Sequence, residues 1–399
     1  MGHTVEPIHS AAEAGAYLES LINFEREPGF RYERMGLAPV RALLAELGDP
    51  HRALSVVHIA GSKGKGSTAL LLEHLLGAWG EQVGTFTSPH LESWTERFRI
   101  AGREVAGERL AAAVERVRPA VERLRRGEAA LRPTFFDATT AVALLLFEEA
   151  GVDRVVLEVG LGGRLDSTNV VDPAVACITT IELEHTDKLG DTLAAIAGEK
   201  AGILKPGVPC VLAAQPPAAA AAIAARAAAV GAPLIGQGRE WRVRSVENGM
   251  RVVAPAGVRR LPPPRLAGAH QRSNAAQAVA MADSLPGFTL SDDALARGLQ
   301  SVDWPARLQR LTRGPLVDRL PPGWELWLDG GHNPAAGAML AQVLGGLPPR
   351  PTHLVCGMLN TKDISGYLTP LAAHARSLTA VSIPGEANTL PAEETARQA

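Results

Sequence analysis

Apolar and polar positions along the N-terminal half of the chain separate short strands from longer helices. Strand-like runs are "SVVHIA", "QVGTFT", "RVVLEV", "AVACITT" and "VPCVLAA", and helical patterns begin near Ser67, Gly107, Thr134, Thr192 and Pro216. Short apolar strands that alternate with helices are typical of βαβ units around a mostly parallel sheet. The pattern predicts an α/β domain whose ligands bind at the carboxyl ends of the strands.

The pattern changes after Val246 and then resumes in a second, smaller set. The segment "ENGMRVVAPAGVRRLPPPRLAGAH" leads to a helical run from Ser273, and the proline-containing "VDWPARLQRL" follows. "WELWLD", "THLVCGML" and "SLTAVSI" then alternate with helices from Pro334 and near Ile364. Because 399 residues exceed the usual size of one core, we predict a larger domain at 1–303 and a smaller α/β domain at 304–399.

Charge and composition exclude several classes of function. The 40 lysine and arginine residues balance 42 aspartate and glutamate residues, and the formal net charge is -2. This balance gives no global reason to bind nucleic acid or an anionic membrane. Cys177, Cys210 and Cys356 are far apart and lack CxxC spacing, so we expect neither a zinc site nor a disulfide framework, and a reducing cytoplasm fits best.

No stretch of the sequence predicts targeting or membrane insertion. "MGHTVEPIHSAAEAG" lacks the basic start and apolar run of a signal peptide. The longest apolar candidate, "PPAAAAAIAARAAAVGAP", is alanine-rich and interrupted by Arg226, which favours a soluble helix. We therefore expect a cytoplasmic protein without membrane partners.

A glycine-rich loop is the first candidate for chemistry. "HIAGSKGKGST" places Gly61, Gly64 and Gly66 between a strand and a helix, where backbone N–H groups and the helix N-terminus favour an anion. Lys65 would add a charge toward phosphates. The strict GxxxxGK[ST] pattern is not met, because Gly66 separates Lys65 from the hydroxyl of Ser67. The alternative is a glycine-rich turn without a ligand.

Three further stretches place polar residues after successive strands or on the next helix. "LEVGLGGRLDSTNVV" puts Glu158 at a strand end, "IELEHTDKLGDT" puts His185 after the next strand, and "AGEKAGILKPG" puts Lys200 on the helix that follows. Mg²⁺ beside a nucleotide takes one or two carboxylates and completes its shell with phosphate oxygens and water. Each residue alone could be a solvated side chain or a local hydrogen-bond partner, but their joint placement favours a metal and phosphate site.

Other candidates have equally plain alternatives. "GAHQRSNAAQA" contains Asn274 near a helix start, "WPARLQ" contains Arg307 near the domain junction, and "LDGGHNPAA" contains Asp329 and His332 after a strand. A helix-terminal amide or a surface arginine is the simpler interpretation of the first two. "TFFDATTAVALLLF" could be the start of a buried helix.

Together these motifs resemble the folylpolyglutamate synthase/dihydrofolate synthase family of the Mur-ligase superfamily. The resemblance rests on the GxxGKGS spacing and on "TSPHLESWTERFRI" after the next strand, and it runs from "YLESLINFEREPGFRYERM" to "IPGEANTLPAEE". It implies a central P-loop ATPase domain with a mostly parallel sheet and a smaller C-terminal α/β domain. It also implies a monomer that closes both domains on ATP and adds L-glutamate to dihydropteroate or reduced folates through an acyl phosphate.

The resemblance also implies residue roles. Residues expected to bind the nucleotide are Gly61, Gly64, Lys65, Gly66, Ser67, Asn274, Arg307, Asp329 and His332. Expected ligands of Mg²⁺, with two ions in the site, are Ser88, Glu158 and His185. Lys200 matches a carbamylated lysine that organises the second metal, and it joins Lys65, His185 and Arg307 as the expected catalytic residues. A monovalent cation is left open.

The implied substrate contacts are weaker, and two departures from the family pattern bear on function. Arg97 lies in the implied mobile loop, and Phe135, Phe136 and Asp137 match a pterin-side pocket in which the family usually has glutamate in place of Asp137. Ser62 and Lys63 are mild departures. The sequence ends at Ala399, whereas relatives usually continue through another helix and strand, so we expect an exposed sheet edge and lowered stability or activity.

Three functions therefore stay open at this point. The first is a folate ligase with one or both activities. The second is an amide ligase for another carboxylate, which would use ATP with that acid and not with pteroate or folates. The third is a nucleotide-binding protein without turnover, which would bind ATP without substrate-dependent phosphate release.

Overall fold

The computed structural model describes residues 6–23, 32, 35–386 and 388–399. The described residues leave out 1–5, 24–31, 33–34 and 387. The first of these ranges belongs to the segment that we compared with a signal peptide. The next two belong to the first stretch of the family resemblance. The chain divides into two compact units. The larger is formed by Met1–Arg265 and His270–Asp303, and the smaller by Leu266–Ala269 and Trp304–Ala399.

Helices and strands alternate along most of the chain. The helices are α1 (Ala11–Glu19), α2 (Ala38–Glu46), α3 (Lys65–Trp79), α4 (Gly107–Arg126), α5 (Phe135–Glu149), α6 (Thr186–Leu189), α7 (Leu193–Lys200), α8 (Pro217–Val230), α9 (Ala269–Asp283), α10 (Asp292–Ser301), α11 (Pro334–Gly346), α12 (Ile364–Ala372) and α13 (Ala392–Gln398). The strands of the larger unit are β1 (Val56–Ala60), β2 (Val83–Phe86), β3 (Phe98–Ile100), β4 (Arg103–Glu104), β5 (Arg154–Glu158), β6 (Val175–Ile178), β7 (Cys210–Leu212), β8 (Leu234–Gly236), β9 (Arg242–Val246), β10 (Gly249–Ala254) and β11 (Gly257–Leu261). The strands of the smaller unit are β12 (Gln309–Leu311), β13 (Leu326–Leu328), β14 (His353–Cys356) and β15 (Ser377–Ala380).

An eight-stranded sheet organises the larger unit. Its order is β4-β3-β2-β5-β1-β6-β7-β8, and every pairing is parallel except those of β3 with β2 and β4. Strand β1 lies between β5 and β6, and all five of its residues are buried. A sheet covered on both faces favours such continuous apolar strands. The predicted α/β class with a mostly parallel sheet is confirmed.

The helices cover the sheet with apolar side chains. One buried cluster contains side chains from α1, α2, α4 and α5, among them Leu18, Leu44 and Val114, and a second contains side chains from α7 and α8, among them Ile196 and Ile223. Helix α3 is buried over most of its length and begins directly after the glycine loop. Removing this apolar surface from water is the main stabilisation of the fold, at about 25 cal/mol per Å².

Two features differ from the sequence predictions. The helix expected from Ser273 begins at Ala269, so Asn274 lies inside α9 and not at its start. The sequence analysis assigned no strands around Val246, whereas the chain forms there the antiparallel sheet β11-β10-β9, whose strand β9 ends at Val246. The alternation of buried and exposed positions in β11 does not show as apolar and polar residues in the sequence, because the charged residue Arg259 occupies a buried position.

The smaller unit has its own core and two separate sheets. Strands β14 and β15 pair in parallel, while β12 and β13 form an antiparallel pair. Leu340, Ile364, Leu368 and Leu371 from α11 and α12 form most of its buried cluster. Across both units, none of the described helices has the length and apolar character needed to cross a bilayer.

Candidate active site

The glycine loop is held between the end of β1 and the start of α3. Gly61 and Gly64 have φ angles of 148° and 84°, which residues with a Cβ rarely adopt. The N–H groups of Ser62 and Lys63 both donate to the carbonyl oxygen of Thr180, at 2.9 and 3.2 Å. The loop is thereby fixed to the segment that follows β6, which is the edge of the sheet where α/β proteins bind ligands.

Two lysines converge on one carbonyl oxygen in this loop. Lys65 Nζ donates to Gly61 O at 3.0 Å, and Lys200 Nζ donates to the same oxygen at 2.8 Å. Lys200 is 2% exposed, and burial together with the charge of Lys65 lowers its pKa to about 8. The structure therefore brings two predicted catalytic residues together at the amino end of α3.

Glu184 supplies the countercharge for these lysines. Its Oε1 accepts a hydrogen bond from Lys200 Nζ at 2.8 Å. Burial tends to raise the pKa of Glu184, but Lys200 and Lys65 outweigh it and hold that pKa below its usual value. The sequence analysis assigned no role to this carboxylate, although it directly precedes His185.

His185 lies at the start of α6 in a left-handed conformation, with φ of 46°. The residue is exposed overall. Desolvation of the ring nevertheless lowers the pKa of His185. The negative charge of Glu184 raises this pKa, and the positive charge of Lys200 lowers it, so the net shift is downward. The neutral imidazole that results is the form that binds metals.

Glu158 and Ser88 meet at the ends of neighbouring strands. Glu158 ends β5 and is 4% exposed, and its Oε2 accepts a hydrogen bond from Ser88 N at 3.1 Å. Strand β5 pairs with both β1 and β2, so this carboxylate lies between the glycine loop and the loop after β2. Among the described residues, no group of three or more His, Cys, Asp or Glu side chains could by itself hold a metal ion.

Helix α9 contributes amides to the glycine loop. A Cβ on Gly64 would lie 2.8 Å from Asn274 Oδ1, so the absence of a side chain there permits the close approach. Asn274 Nδ2 donates a hydrogen bond to Gln271 Oε1 at 2.9 Å, and Gln271 Nε2 donates one to Ser67 Oγ at 3.3 Å. The predicted nucleotide residues Gly64, Ser67 and Asn274 are thus linked through Gln271, which the sequence analysis missed.

The predicted substrate residues form an aromatic cluster. Arg97 is 4% exposed, and its guanidinium carbon lies 4.9 Å from the centre of the Trp94 ring and 5.5 Å from that of Phe135. Its Nε donates to His90 Nδ1 at 2.8 Å. Phe136 packs against Phe86 with ring centres 6.0 Å apart. These contacts place Arg97, Phe135 and Phe136 in one cluster with the loop after β2.

Asp137 is engaged by the protein itself. Its Oδ2 accepts hydrogen bonds from Thr134 N at 2.8 Å and Thr134 Oγ1 at 2.7 Å, and its Oδ1 accepts one from Ser167 Oγ at 2.7 Å. Thr134 and Asp137 form a capping box at the start of α5. Burial raises the pKa of Asp137, although the three hydrogen bonds oppose the shift. These contacts make helix capping its evident role in the structure.

The remaining predicted nucleotide residues lie together in the smaller unit. Asp329 accepts hydrogen bonds from Leu308 N and Gly331 N, both at 2.8 Å. Arg307 lies between two residues with positive φ, Ala306 at 53° and Leu308 at 47°. Strained backbone of this kind occurs preferentially at functional sites. His332 is exposed and lies three residues after Asp329. The loop that contains Arg307 is thus hydrogen-bonded to the loop that contains Asp329 and His332.

Comparisons with known proteins identify the family of this chain. The family model of the Mur ligase middle domain matches residues 59–282. A probable bifunctional folylpolyglutamate synthase/dihydropteroate synthase of Halobacterium salinarum is 38% identical over 360 residues, which cover 88% of this chain and 41% of that protein. The dihydrofolate synthase/folylpolyglutamate synthase of Bacillus subtilis is 35% identical, covering 83% of this chain and 75% of that protein. The chain thus spans about two fifths of the archaeal relative's length.

Solved structures share the fold along the whole chain. E. coli FolC in complex with DHPP and ADP has a TM-score of 0.83 at 33% identity, covering 100% of this chain and 88% of that chain. A bifunctional folylpolyglutamate synthase/dihydrofolate synthase with Mn, AMPPNP and L-glutamate bound has a TM-score of 0.84 at 33% identity, covering 100% and 89%. The glycine loop, the fold and these relatives agree, and the chain belongs to the folylpolyglutamate synthase/dihydrofolate synthase family of the Mur ligase superfamily.

Proposed function

We propose that this protein is an ATP-dependent ligase that joins L-glutamate to the carboxylate of dihydropteroate or a reduced folate. The observation that carries the proposal is the convergence of Lys65 and Lys200 on Gly61 O at the start of α3. Two cations at a helix N-terminus favour a polyphosphate. The choice of acceptor follows from relatives, since one related structure holds DHPP and ADP and another holds AMPPNP and L-glutamate.

The reaction has two steps that need no enzyme nucleophile. The acceptor carboxylate takes the γ-phosphoryl group of ATP, which gives ADP and an acyl phosphate. The amine of L-glutamate then attacks the acyl carbon, loses a proton and displaces phosphate, which leaves an amide. Lys65 and Arg307 would spread the negative charge of the transferring group, so positioning and electrostatics provide the acceleration.

We assign nucleotide binding to both units. Residues 1–303 would form the ATP-binding Mur-ligase-like domain, with Gly61, Gly64, Gly66 and Ser67 at the phosphates. Residues 304–399 would form the C-terminal domain and provide Asp329 and His332. The hydrogen bond from Leu308 N to Asp329, beside the strained backbone at Arg307, supports the assignment.

The residues present fit a magnesium ion. Glu158 offers a buried carboxylate, the Ser88 N–H orients it, and His185 is held neutral. The small number of acidic ligands suits Mg²⁺, which completes its shell with phosphate oxygens and water. We therefore propose Ser88, Glu158 and His185 as its ligands. Bound there, the ion would neutralise charge on the phosphates.

Carbamylation of Lys200 is the finer part of this proposal. Carbon dioxide adds to a neutral amine with release of a proton, and burial lowers the pKa of Lys200 to about 8, which increases the neutral fraction. The modified residue would place a second anion beside Glu184. That pair requires a nearby cation, so the modification supports a second Mg²⁺ or a monovalent cation in the site.

The experiment is a Mg²⁺-dependent phosphate-release assay with ATP and L-glutamate. Dihydropteroate and tetrahydrofolate are added separately, and products are identified by mass. We expect a mass increase of one glutamyl residue with at least one acceptor, loss of that product in Lys65→Met and Lys200→Met, and retention in Arg226→Met, which removes an exposed cation from α8. ATP binding without glutamylated product from either acceptor would overturn the folate assignment.

Carbamylation is tested on the same protein by intact-mass and ¹³C NMR measurements with ¹³C-labelled bicarbonate. A carbamate carbon signal is expected in the unsubstituted protein and not in Lys200→Met. Equal signals in the two proteins, or none in either, would remove carbamylated Lys200 from the mechanism.

A further inference from the structure

His58 is a buried imidazole in the middle of β1, three residues before Gly61. It is 0% exposed. Its Nε2 lies 2.8 Å from Thr168 Oγ1, whereas Nδ1 is buried and has no hydrogen-bond partner among the described residues. Buried polar atoms without a partner are rare in native proteins, because they lose hydration without compensation. The ring therefore calls for an explanation beyond packing.

The hydrogen bonds around this ring have one direction. Thr168 Oγ1 also contacts Asp166 Oδ1, and an ionised carboxylate only accepts hydrogen bonds. The single hydroxyl proton of Thr168 thus goes to Asp166, and the hydroxyl must accept from His58. Nε2 of His58 then bears the proton and Nδ1 does not. A neutral ring agrees with burial, which lowers the pKa of His58 to about 3, with a smaller contribution from Lys205.

The carboxylate of Asp166, which accepts the hydrogen bond from the Thr168 hydroxyl, also holds the two ends of a loop together. Its Oδ1 accepts a hydrogen bond from Thr168 N at 3.0 Å, and its Oδ2 accepts one from Leu161 N at 2.9 Å. The segment 161–168 begins just after Glu158, the proposed metal ligand. The conformation of the chain that leaves Glu158 is therefore linked to the ring of His58.

The same loop packs on the helix that contains Lys200. Arg164 N donates to Glu199 O at 2.8 Å. A Cβ on Gly163 would lie 2.9 Å from the carbonyl oxygens of Glu199 and Lys200, so the loop and the last turn of α7 are in close contact. Lys200 Nζ in turn donates to Gly61 O. These contacts run from His58 through Thr168, the loop 161–168 and Lys200 to Gly61, the residue directly after β1, and we call them the circuit.

We propose that His58 is a positioning residue, which uses its Nε2 proton to hold the loop after Glu158 and the end of α7 in register with the glycine loop. The term describes an effect through Thr168 and Asp166, since the ring is buried beneath the site. The assignment of Glu158 as a metal ligand rests on the proposed function, whereas the contacts of the circuit do not.

The first test is amide hydrogen exchange by NMR on the full chain. His58→Leu removes the donor, His58→Gln retains an N–H donor, and Thr168→Val removes the hydroxyl. Cys210→Ala is the control, because it truncates a fully buried side chain in β7 outside the circuit. We expect the Leu161 amide to exchange at least about 10-fold faster in His58→Leu and Thr168→Val, relative to amides of β10, and not in His58→Gln or Cys210→Ala.

The second test is the Mg²⁺ concentration that gives half-maximal ligase activity at fixed ATP. Loss of outer residues that orient metal ligands typically weakens metal affinity about 10-fold or more, so we expect a shift of that size in His58→Leu and Thr168→Val. The KM for the acceptor should stay unchanged. His58→Gln should restore most of the Mg²⁺ dependence, which a residue needed only for packing would not do.

The outcomes separate this inference from the proposed function. Unchanged exchange at Leu161 in both His58→Leu and Thr168→Val overturns the positioning role, whatever the activity. Absence of ligase activity in the unsubstituted protein overturns the proposed function and leaves the exchange result intact. If both variants fail to fold, ¹⁵N spectra of the unsubstituted protein decide, because a protonated Nδ1 on His58 contradicts the inferred tautomer.

Discussion

Arg259 and Asp283 form a bidentate ion pair between β11 and the last residue of α9. Arg259 Nη1 and Nη2 donate to the two carboxylate oxygens at 2.7 and 2.9 Å, and the side chains are only 9% and 2% exposed. This pair fixes the small antiparallel sheet to the helix whose other end holds Gln271 and Asn274. A buried pair of this kind stabilises little in itself but makes the loss of one partner costly.

We therefore expect single and double substitutions to behave differently. Asp283→Asn should lower the free energy of unfolding by about 3 kcal/mol, because it removes the bidentate partner and leaves the buried guanidinium only the exposed carboxylate of Asp292, 3.5 Å from Nε. The double variant Arg259→Met with Asp283→Leu should lie within about 1 kcal/mol of the unsubstituted protein. Urea unfolding measures both. Equal losses in the single and double variants would contradict the buried-charge explanation.

Asp137 provides a second test, because two roles compete for it. Its three hydrogen bonds to Thr134 and Ser167 predict that Asp137→Ala lowers the free energy of unfolding by about 2–3 kcal/mol, since a cap and a buried charged acceptor are both lost. Ser291→Ala is the control, as it removes only the cap of α10 and should lower it by about 1 kcal/mol.

The kinetic constants then distinguish capping from substrate contact. If Asp137 acts only on the helix, the KM for the folate or pteroate acceptor in Asp137→Asn stays close to that of the unsubstituted protein at a temperature where both are folded. A large rise in this KM with unchanged KM for ATP would restore the substrate role implied by the resemblance.

The position of the glycine loop between a strand and a helix could be predicted from the sequence for a physical reason. Parallel strands are buried on both faces, so "SVVHIA" and "RVVLEV" appear as continuous apolar runs whose ends mark the site. Residues directly after those ends, such as Glu158, could be found without knowing the fold. Glu184 could have been found as well, since it is the only acidic residue directly beside His185.

The sequence analysis missed the features that depend on distant partners. Arg259 interrupts the apolar alternation of β11, and its bidentate pairing with Asp283, at the end of a different element, makes burial of the charge acceptable. The capping box of Thr134 and Asp137 has a local signature, but the third hydrogen bond comes from Ser167. Gln271 and Asn274 are three positions apart and share a face of α9, a spacing visible in the sequence only once the helix start is placed correctly.

His74 predicts a defined sensitivity to acid. It lies in α3, its Nδ1 is 2.9 Å from Ser301 Oγ in α10, and burial lowers its pKa to about 4. Below pH 6.5 the unfolded chain takes up a proton that the folded chain resists, so this residue lowers stability as the pH falls from 6.5 to about 4. The effect is absent above that window.

A comparison with His74→Gln isolates this contribution, because all other groups titrate in both proteins. Between pH 7 and pH 4 the unsubstituted protein should lose about 1–2 kcal/mol more unfolding free energy than the variant, after allowance for the partial exposure of the ring. Urea unfolding at several pH values gives both curves. Parallel curves would show that the folded protein protonates His74 as readily as the unfolded chain does.

Arg251 lies in the middle of a row of three exposed arginines on the outer face of the antiparallel sheet. It is directly opposite Arg244 on β9 and Arg260 on β11. Like charges directly opposite one another destabilise a sheet by a few tenths of a kcal/mol per pair. Arg251→Gln should therefore raise the free energy of unfolding by about 0.5 kcal/mol at low ionic strength.

Salt provides the internal check on this prediction. Because about 1 M salt reduces the Debye length to about 3 Å, the repulsion within the row is screened, and the advantage of Arg251→Gln should disappear. Arg239→Gln is the matched control, since Arg239 is exposed but has Glu240 as an ion-pair partner at 3.5 Å. Its removal should give no gain at either salt concentration. A gain for Arg251→Gln that persists at high salt would have to come from β-propensity or packing, and the charge argument would then fail.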